Sequence, residues 1–144
     1  MLIVKITWEM SAKTTPDSAT ATVLVVEDEP GVQKIVTAML EGLGYRVLVA
    51  NDGPEALEIL DETEGIDILL SDVVMPQGMN GFDLADTAVA RHQHLKVLMT
   101  SGYPDAELRR SGNAASSYHL IAKPYSMTDI IEALNAVQGT DQGG

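Results

Sequence analysis

From residue 23 onward, short apolar runs alternate with longer segments whose apolar residues recur at helical spacing. The runs are rich in Val, Ile and Leu, which is typical of strands that are buried on both faces. Strands that alternate with helices through short loops pair in parallel, with right-handed crossovers. The alternation therefore predicts an α/β fold, a doubly wound sandwich with a parallel sheet between two layers of helices. The predicted strands are Val23–Val26, Arg46–Ala50, Ile66–Leu70, Leu95–Met99 and Tyr118–Ala122.

Proline, glycine and short polar residues indicate where the predicted helices begin and end. Pro30 stands in a first helical turn, where its missing N–H is tolerated, and Gly44 is placed to end that helix. Ser126, with Asp129 three residues later, predicts a capping box at the start of the last helix. We expect this helix to end at Gly139. Further helices are predicted from Pro54, over Gly81–Arg91 and, more weakly, over Pro104–Arg110.

A chain of 144 residues is long enough for one domain with one hydrophobic core. We assign that domain to residues 22–139. Residues 1–21 precede it as a tail or linker, which we interpret as disordered or left over from cloning, with an extra edge strand as the alternative. Lys5 and Glu9 interrupt the apolar start, so we do not interpret it as a signal peptide. Residues 140–144 are expected to fray.

The composition excludes several classes of function. Twenty-one acidic and nine basic residues give a formal net charge of -12, which repels phosphate backbones and argues against direct nucleic-acid binding. No apolar stretch approaches membrane-spanning length, so we expect no membrane contact by this domain. The absence of cysteine excludes disulfides and Cys-ligated zinc, and it suits a cytoplasmic protein. Cationic partners and divalent metals are favoured instead.

Polar side chains follow four of the predicted strands at the point where each strand ends. They are Glu27 and Asp28, Asp72, Ser101 and Lys123. Each alone is more often a loop charge or a helix cap, but parallel strands bring all of them to one edge of the sheet. Three carboxylates in one place repel one another unless a cation lies among them. Mg²⁺ suits such a site, because it needs only one or two carboxylates, a carbonyl and waters, which leaves room for phosphate oxygens.

The region from about Thr22 to Gln138 resembles a response regulator receiver domain in the order, spacing and chemistry of its motifs. The sequence Glu27-Asp28-Glu29-Pro30 is similar to the family's acidic pair, and Asp72-Val-Val-Met-Pro76 to its phosphoacceptor strand and loop. Ser101 resembles the family's hydroxyl switch, and Lys123-Pro124 resembles its Lys-Pro step. The resemblance implies a flavodoxin-like three-layer sandwich with the strand order 2-1-3-4-5.

The resemblance also implies a role for each residue of the site. Asp72 accepts a phosphoryl group from the phosphohistidine of a histidine kinase or phosphotransfer domain. Asp28 and Asp72 bind Mg²⁺ directly, Glu27 binds it through water, and the Val74 backbone carbonyl completes the protein ligands. Lys123 pairs with Asp72 and then with the phosphoryl oxygens, through a Lys-Pro bond that is cis in the family. The chain would thus be a regulatory phosphoacceptor of a two-component system rather than an enzyme.

Switching would involve the residues around the phosphoryl group. Ser101 can reach added anionic oxygens by a hydrogen bond, which moves its loop. The family often has an aromatic residue three positions before the lysine, whereas this chain has Leu120, so an aromatic relay is not expected here. The sequence Ser101-Gly102-Tyr103-Pro104 resembles receivers at the C-terminus of hybrid sensor kinases. A phosphorylation-dependent dimer is a further possibility for such a domain.

Other functions remain open on the sequence. A stand-alone single-domain response regulator would carry the same motifs. A Mg²⁺-dependent aspartate-nucleophile phosphohydrolase would resemble Asp-x-Asp, but the second position here is Val74. A flavodoxin-like cofactor carrier would need a phosphate-cradling loop after the first strand, where this chain has Glu27-Asp28-Glu29. An interaction domain independent of phosphorylation would keep the fold but lose the acidic pair or the lysine.

Overall fold

The computed structural model describes residues 21–75, 79–102 and 118–143. Within these ranges, five strands form one sheet, and each runs parallel to its neighbours. They are β1 (Thr22–Val26), β2 (Arg46–Ala50), β3 (Ile68–Asp72), β4 (Lys96–Ser101) and β5 (His119–Ala122). The order across the sheet is β2-β1-β3-β4-β5. The predicted fold class and strand order are therefore confirmed.

Helices cover both faces of this sheet. They are α1 (Pro30–Gly42), α2 (Gly53–Glu62), α3 (Gly81–Arg91) and α4 (Met127–Gly143). Alternate residues of β1 point to opposite faces. Leu24 and Val26 join the core under α2 and α3, while Val23 and Val25 join the core under α1 and α4. All five residues of β1 are buried as a result. No helix among the described residues is long and apolar enough to cross a bilayer.

The strand register brings the ends of the central strands together. Val26 pairs with Ser71, so the residues that follow each of them, Glu27 and Asp72, emerge side by side. Asp72 in turn pairs with Thr100. On the far side of β4, Ser101 pairs with Ala122, the last residue before the predicted lysine. The predicted site residues at these four strand ends therefore share one edge, which we call the carboxyl edge.

Most predicted helix boundaries agree with the structure. Gly44 has a φ of 99°, a left-handed conformation that favours glycine, and it directly follows the last turn of α1. The capping box is present, since Asp129 N–H donates to Ser126 Oγ at 3.1 Å and Ser126 N–H donates to Asp129 Oδ2 at 2.9 Å. The predicted end at Gly139 is wrong, because α4 continues to Gly143. Glycine weakens a helix interior by only about 1 kcal/mol, which is too little to end a helix that packs well.

Two strands lie further along the chain than predicted. Strand β3 begins at Ile68 rather than Ile66, and β4 extends to Ser101 rather than Met99. The buried polar residues Ser71, Thr100 and Ser101 explain the difference. They interrupt the apolar run but continue the ladder, because backbone hydrogen bonds do not depend on the side chain.

Three predicted segments lie outside the described residues. They are the character of the tail over residues 1–20, the loop at residues 76–78 and the weak helix over Pro104–Arg110. The assignment of residues 22–139 as the domain and the fraying of residues 140–144 stay predictions.

Candidate functional site

The acidic pair follows β1 directly, and its two members differ in exposure. The backbone N–H of Glu27 donates to the Ala50 carbonyl at 3.1 Å, which extends the β1–β2 ladder by one residue. The Glu27 side chain is 6% exposed, and its Oε2 accepts the Glu29 N–H at 3.2 Å. Asp28, one residue later, is exposed. The Glu27 carboxylate is therefore buried at the edge of the sheet, whereas Asp28 faces solvent.

Asp72 is the last residue of β3, and its side chain is 12% exposed. Its Oδ2 accepts a hydrogen bond from Lys123 Nζ at 2.7 Å, and its Oδ1 accepts a long one from the Val74 N–H at 3.3 Å. The backbone just beyond is held by Val73 N–H to the Thr100 carbonyl at 2.9 Å. Asp72 is thus anchored by its strand, and its carboxylate is held by Lys123 and the Val74 N–H.

Lys123 joins the two buried carboxylates. Its Nζ lies 2.7 Å from Asp72 Oδ2 and 3.6 Å from Glu27 Oε1. The backbone N–H of Lys123 donates to the Ser101 carbonyl at 2.8 Å, which ties β5 to β4 at this edge. The Lys123-Pro124 peptide bond is cis. Burial alone lowers the pKa of Lys123, but the hydrogen bond to Asp72 and the charges of Asp72 and Glu27 raise it above its usual value. Lys123 is therefore a fixed positive charge at neutral pH.

One ammonium group does not neutralise the carboxylates around it. Burial raises the pKa of the Glu27 carboxyl above its usual value. The Glu29 N–H and the Lys123 charge oppose that rise, while the charges of Asp72 and Asp28 add to it. The charges of Asp72 and Asp28 are thus close enough to repel that of Glu27. This electrostatic repulsion is what a bound cation would relieve.

The donor set at the edge suits a hard divalent ion. Among the residues that the structure describes, no three His, Cys, Asp or Glu side chains form a group that could hold a metal by themselves. Mg²⁺ binds through one or two carboxylates and keeps several waters, so the exposed Asp28 and the edge carboxylate of Asp72 fit it.

The remaining predicted residues lie around this centre. Ser101 ends β4 and is 1% exposed, so the edge brings it close to the lysine. Val74 is 45% exposed and follows Asp72 by two residues. Leu120 pairs with Met99 and is partly buried against the core under α2 and α3. Tyr103 lies outside the described residues.

Sequence reasoning missed three residues that shape the site. Gly81 packs against the strand end, since a Cβ there would lie 2.3 Å from the Asp72 carbonyl oxygen. The Gln33 amide donates to the Glu27 carbonyl and, at 2.8 Å, to Asn51 Oδ1. Gly81 could have been found from the sequence, because it is a glycine that begins a predicted helix just after the Asp72 loop. Gln33 and Asn51 had no such signal, because they meet only in the folded chain.

The family model of the response regulator receiver domain matches residues 23–135. This chain belongs to that family. The fold described above agrees with this match, and receiver domains generally bind Mg²⁺. The chain is a receiver domain of a two-component system, a regulatory phosphoacceptor family.

Its relatives include receivers in two settings. It is 39% identical to the sensor kinase CckA of Brucella abortus over 119 residues, which cover 82% of this chain and 12% of that kinase. It is 30% identical to the response regulator receiver protein CpdR of the same organism, covering 78% of this chain and 92% of CpdR. The solved receiver domain of a hybrid histidine kinase CckA matches with a TM-score of 0.66 and 32% identity, over 81% of this chain and 97% of that one.

Proposed function

We propose that Asp72 is the phosphoacceptor of this receiver, and that it takes a phosphoryl group from a phosphohistidine in a Mg²⁺-dependent step. The observation that supports this most is the Asp72 carboxylate itself. It stands at the carboxyl edge with one oxygen held 2.7 Å from Lys123 Nζ, inside a group of acidic side chains that lacks enough positive charge. Such unbalanced charge at a sheet edge is typical of a functional site.

In the transfer, a carboxylate oxygen of Asp72 bonds to phosphorus as the bond from phosphorus to the histidine nitrogen breaks. The electron pair of that bond stays on the imidazole, so no oxidant or further reactant is needed. Transfer through a loose transition state depends on positioning and charge neutralisation. The strand end positions Asp72, and Lys123 holds a positive charge where the phosphoryl oxygens arrive.

Asp28, Asp72 and the Val74 carbonyl would hold Mg²⁺ directly, with Glu27 acting through a water. When bound, the ion supplies positive charge that neutralises the phosphoryl oxygens. The protein side of the site supports this assignment in one further way. Glu27 is buried and already repelled by its neighbours, so a cation beside the edge stabilises its ionised form.

We further propose that Ser101 reads the phosphorylated state. Its buried place at the end of β4 lets its hydroxyl approach a phosphoryl group on Asp72, and its carbonyl already contacts Lys123. Leu120 lies in the neighbouring strand, where a family aromatic residue often stands, and Tyr103 follows Ser101 in the chain. We assign Ser101 and Tyr103 to the switch, with Leu120 as an aliphatic replacement that moves less.

The decisive experiment is mass spectrometry of the intact chain after incubation with a small phosphodonor and Mg²⁺. The parent should gain one phosphoryl group, and only when Mg²⁺ is present. Asp72→Asn should abolish the gain, because an amide cannot form the acyl phosphate. Asp83→Asn is the matched control, an exposed aspartate on α3 that should leave labelling unchanged. Full labelling of Asp72→Asn would refute the proposed phosphoacceptor.

We propose the receiver of a hybrid sensor kinase as its setting, with a histidine kinase or phosphotransfer domain as partner. The 39% identity to the CckA kinase supports this more than the 30% identity to CpdR, the stand-alone alternative. Sequencing the gene upstream of this domain tests the hybrid-kinase setting, since a kinase core in the same reading frame is expected. Size-exclusion chromatography with and without phosphodonor tests the phosphorylation-dependent dimer.

The phosphohydrolase alternative receives less support. The position two after Asp72 carries the apolar, 45% exposed side chain of Val74, which cannot serve as a general acid.

A further inference from the structure

We infer that Gln33 and Asn51 are positioning residues for the metal-binding aspartate of this receiver, an inference that rests on the proposed function. The two amides hold the peptide unit that joins Glu27 to Asp28. Neither residue belongs to the acidic pair, to the phosphoacceptor loop or to the switch. Their effect on the site would pass through the backbone of Asp28.

The contact begins at the carbonyl oxygen of Glu27. Strand β1 ends at Val26, so this carbonyl lies one residue beyond the strand. Gln33, in the first turns of α1, donates a hydrogen bond from its Nε2 to that oxygen. The same Nε2 donates to Asn51 Oδ1 at 2.8 Å. Both hydrogens of the Gln33 amide are thus used, and its side chain is fixed between β1 and the end of β2.

Asn51 is held in turn by one carboxylate oxygen. Glu55 Oε1 accepts the Asn51 backbone N–H at 2.8 Å and the Asn51 side-chain amide at 3.0 Å. Glu55 lies in the first turn of α2, where its charge favours the helix N-terminus. The chain of hydrogen bonds therefore runs from α2 through two amides to the Glu27 carbonyl. Each donor in it meets one acceptor, with a single consistent orientation of both amides.

This series of hydrogen bonds holds the Glu27 carbonyl, for which Gln33 is the partner that the described structure shows. A peptide unit is planar, so holding the Glu27 carbonyl also holds the N–H and Cα of Asp28. Asp28 is exposed, and no hydrogen bond or ion pair within the described ranges holds its carboxylate. Without the amides, the Asp28 peptide would sample several orientations, and ordering it would oppose metal binding. With them, the backbone of Asp28 is held in one orientation before the ion arrives.

The test compares two glutamines of the same chemistry. Gln33→Met keeps the length of the side chain and removes both hydrogen bonds. Gln138→Met is the control, because Gln138 Nε2 also bridges two acceptors, Tyr45 Oη at 2.9 Å and the Leu134 carbonyl at 3.1 Å, but lies away from the carboxyl edge. Isothermal titration calorimetry with MgCl₂ should give about a tenfold weaker Kd for Gln33→Met. The Kd of Gln138→Met should equal that of the parent.

Three further measurements separate positioning from a structural defect. Gln33→Arg restores two N–H donors and should recover most of the affinity. At saturating Mg²⁺, Gln33→Met should be labelled by the phosphodonor at the parental rate, so that only the Mg²⁺ concentration for half-maximal rate rises. Hydrogen exchange of the Asp28 amide, measured without metal, should be faster in Gln33→Met than in the parent.

These measurements distinguish a failure of the positioning role from a failure of the proposed function. Equal Mg²⁺ affinity and equal Asp28 exchange in the parent and Gln33→Met would refute the positioning role while leaving the phosphoacceptor intact. Equal losses of affinity in Gln33→Met and Gln138→Met would also refute it, since the effect would then be general. A parent that binds no Mg²⁺ would overturn the proposed function and this inference together.

Discussion

The opposite edge of the sheet, where the strands begin, is here named the amino edge. There the half-exposed Asp61 lies between Arg91 Nη1 at 2.7 Å and the ring of His92 at 3.1 Å. Asp67, nearby, accepts the Thr22 N–H at 2.9 Å. At the carboxyl edge, Glu27 is buried beside Asp72 and shares a single described lysine with it. Carboxylates at the amino edge therefore have separate hydrogen-bond or ion-pair partners, whereas those at the carboxyl edge lie side by side and share one.

The difference shows where this fold accepts a loss of stability. At the amino edge, the carboxylates pair with groups at the ends of helices and strands, so they need no bound ion. At the carboxyl edge, the buried charge of Glu27 destabilises the metal-free domain, and natural proteins keep such groups where function requires them. Substitutions that remove a carboxylate charge should therefore change stability in opposite directions at the two edges, and Mg²⁺ should act at only one of them.

Gly81→Ala should have the largest effect, because it breaks the carboxyl edge sterically. The added Cβ would meet the Asp72 carbonyl oxygen at 2.3 Å and Met99 Cε at 2.6 Å, so the strand end must move. We expect a loss of about 3 kcal/mol in the free energy of unfolding, measured in urea. Gly42→Ala is the control, since a Cβ there meets nothing within 4 Å in a helix and should stabilise slightly. Equal stability of Gly81→Ala and the parent would contradict the close approach of Gly81 to the end of β3.

Mg²⁺ should stabilise the domain through the carboxyl edge alone. Because the ion binds the assembled site, we expect a gain of about 2 kcal/mol at roughly thirty times its Kd, visible as a rise in Tm. Asp28→Ala should remove the gain, since the proposed site then loses one of its two direct carboxylate ligands. Asp61→Ala at the amino edge should keep it. A full Mg²⁺ shift in Asp28→Ala would place the ion elsewhere.

Glu27→Gln should raise the metal-free stability by about 1 kcal/mol, because it removes a buried charge that its neighbours repel. The amide oxygen can still accept the Glu29 N–H, and Lys123 keeps Asp72 as its partner. Asp61→Asn should instead lose about 0.5 kcal/mol with its exposed ion pair. Urea unfolding without Mg²⁺ measures both. A destabilised Glu27→Gln would show that Lys123 compensates the buried carboxylate fully.

The carboxyl edge was largely predictable from the sequence. In a parallel sheet, the residue after each strand falls on one edge, so Glu27, Asp72, Ser101 and Lys123 could be brought together without coordinates. The strand Arg46–Ala50 was also predicted with its observed limits, because turn residues bound it on both sides. Here the local pattern and the tertiary structure agree.

What sequence reasoning missed depends on contacts between distant segments. Gln33 and Asn51 are 18 residues apart and carry no periodic signal, so only the packing of α1 beside the end of β2 reveals their bond. The extension of β4 to Ser101 was missed because its buried hydroxyl residues do not look like a strand core. The end of α4 was misplaced because a single Gly139 is a weak signal.

The smallest effect concerns Tyr118, just before β5 at the amino edge, whose hydroxyl donates to Asp86 on α3. Burial, the hydrogen bond to Asp86 and the charge of Asp86 raise the pKa of Tyr118 from 10.0 to about 12. A raised pKa stabilises the fold fully below pH 10 and loses that contribution as pH rises from 10 to about 12. At neutral pH, Tyr118→Phe should therefore cost only about 0.5 kcal/mol, the value of one half-exposed hydrogen bond.

Tyrosinate absorbance in the pH range of that transition checks the assignment. The parent should show one tyrosine that titrates near pH 12. That titration should be absent from Tyr118→Phe. Asp86→Asn should lower the pKa of Tyr118 only part of the way, since burial, the largest cause, remains. Mg²⁺ should leave this titration unchanged, because the ion acts at the other edge of the sheet. A Mg²⁺-dependent pKa for Tyr118 would show that the two edges are coupled through α3, and the contrast between them would then describe one connected network rather than two independent regions.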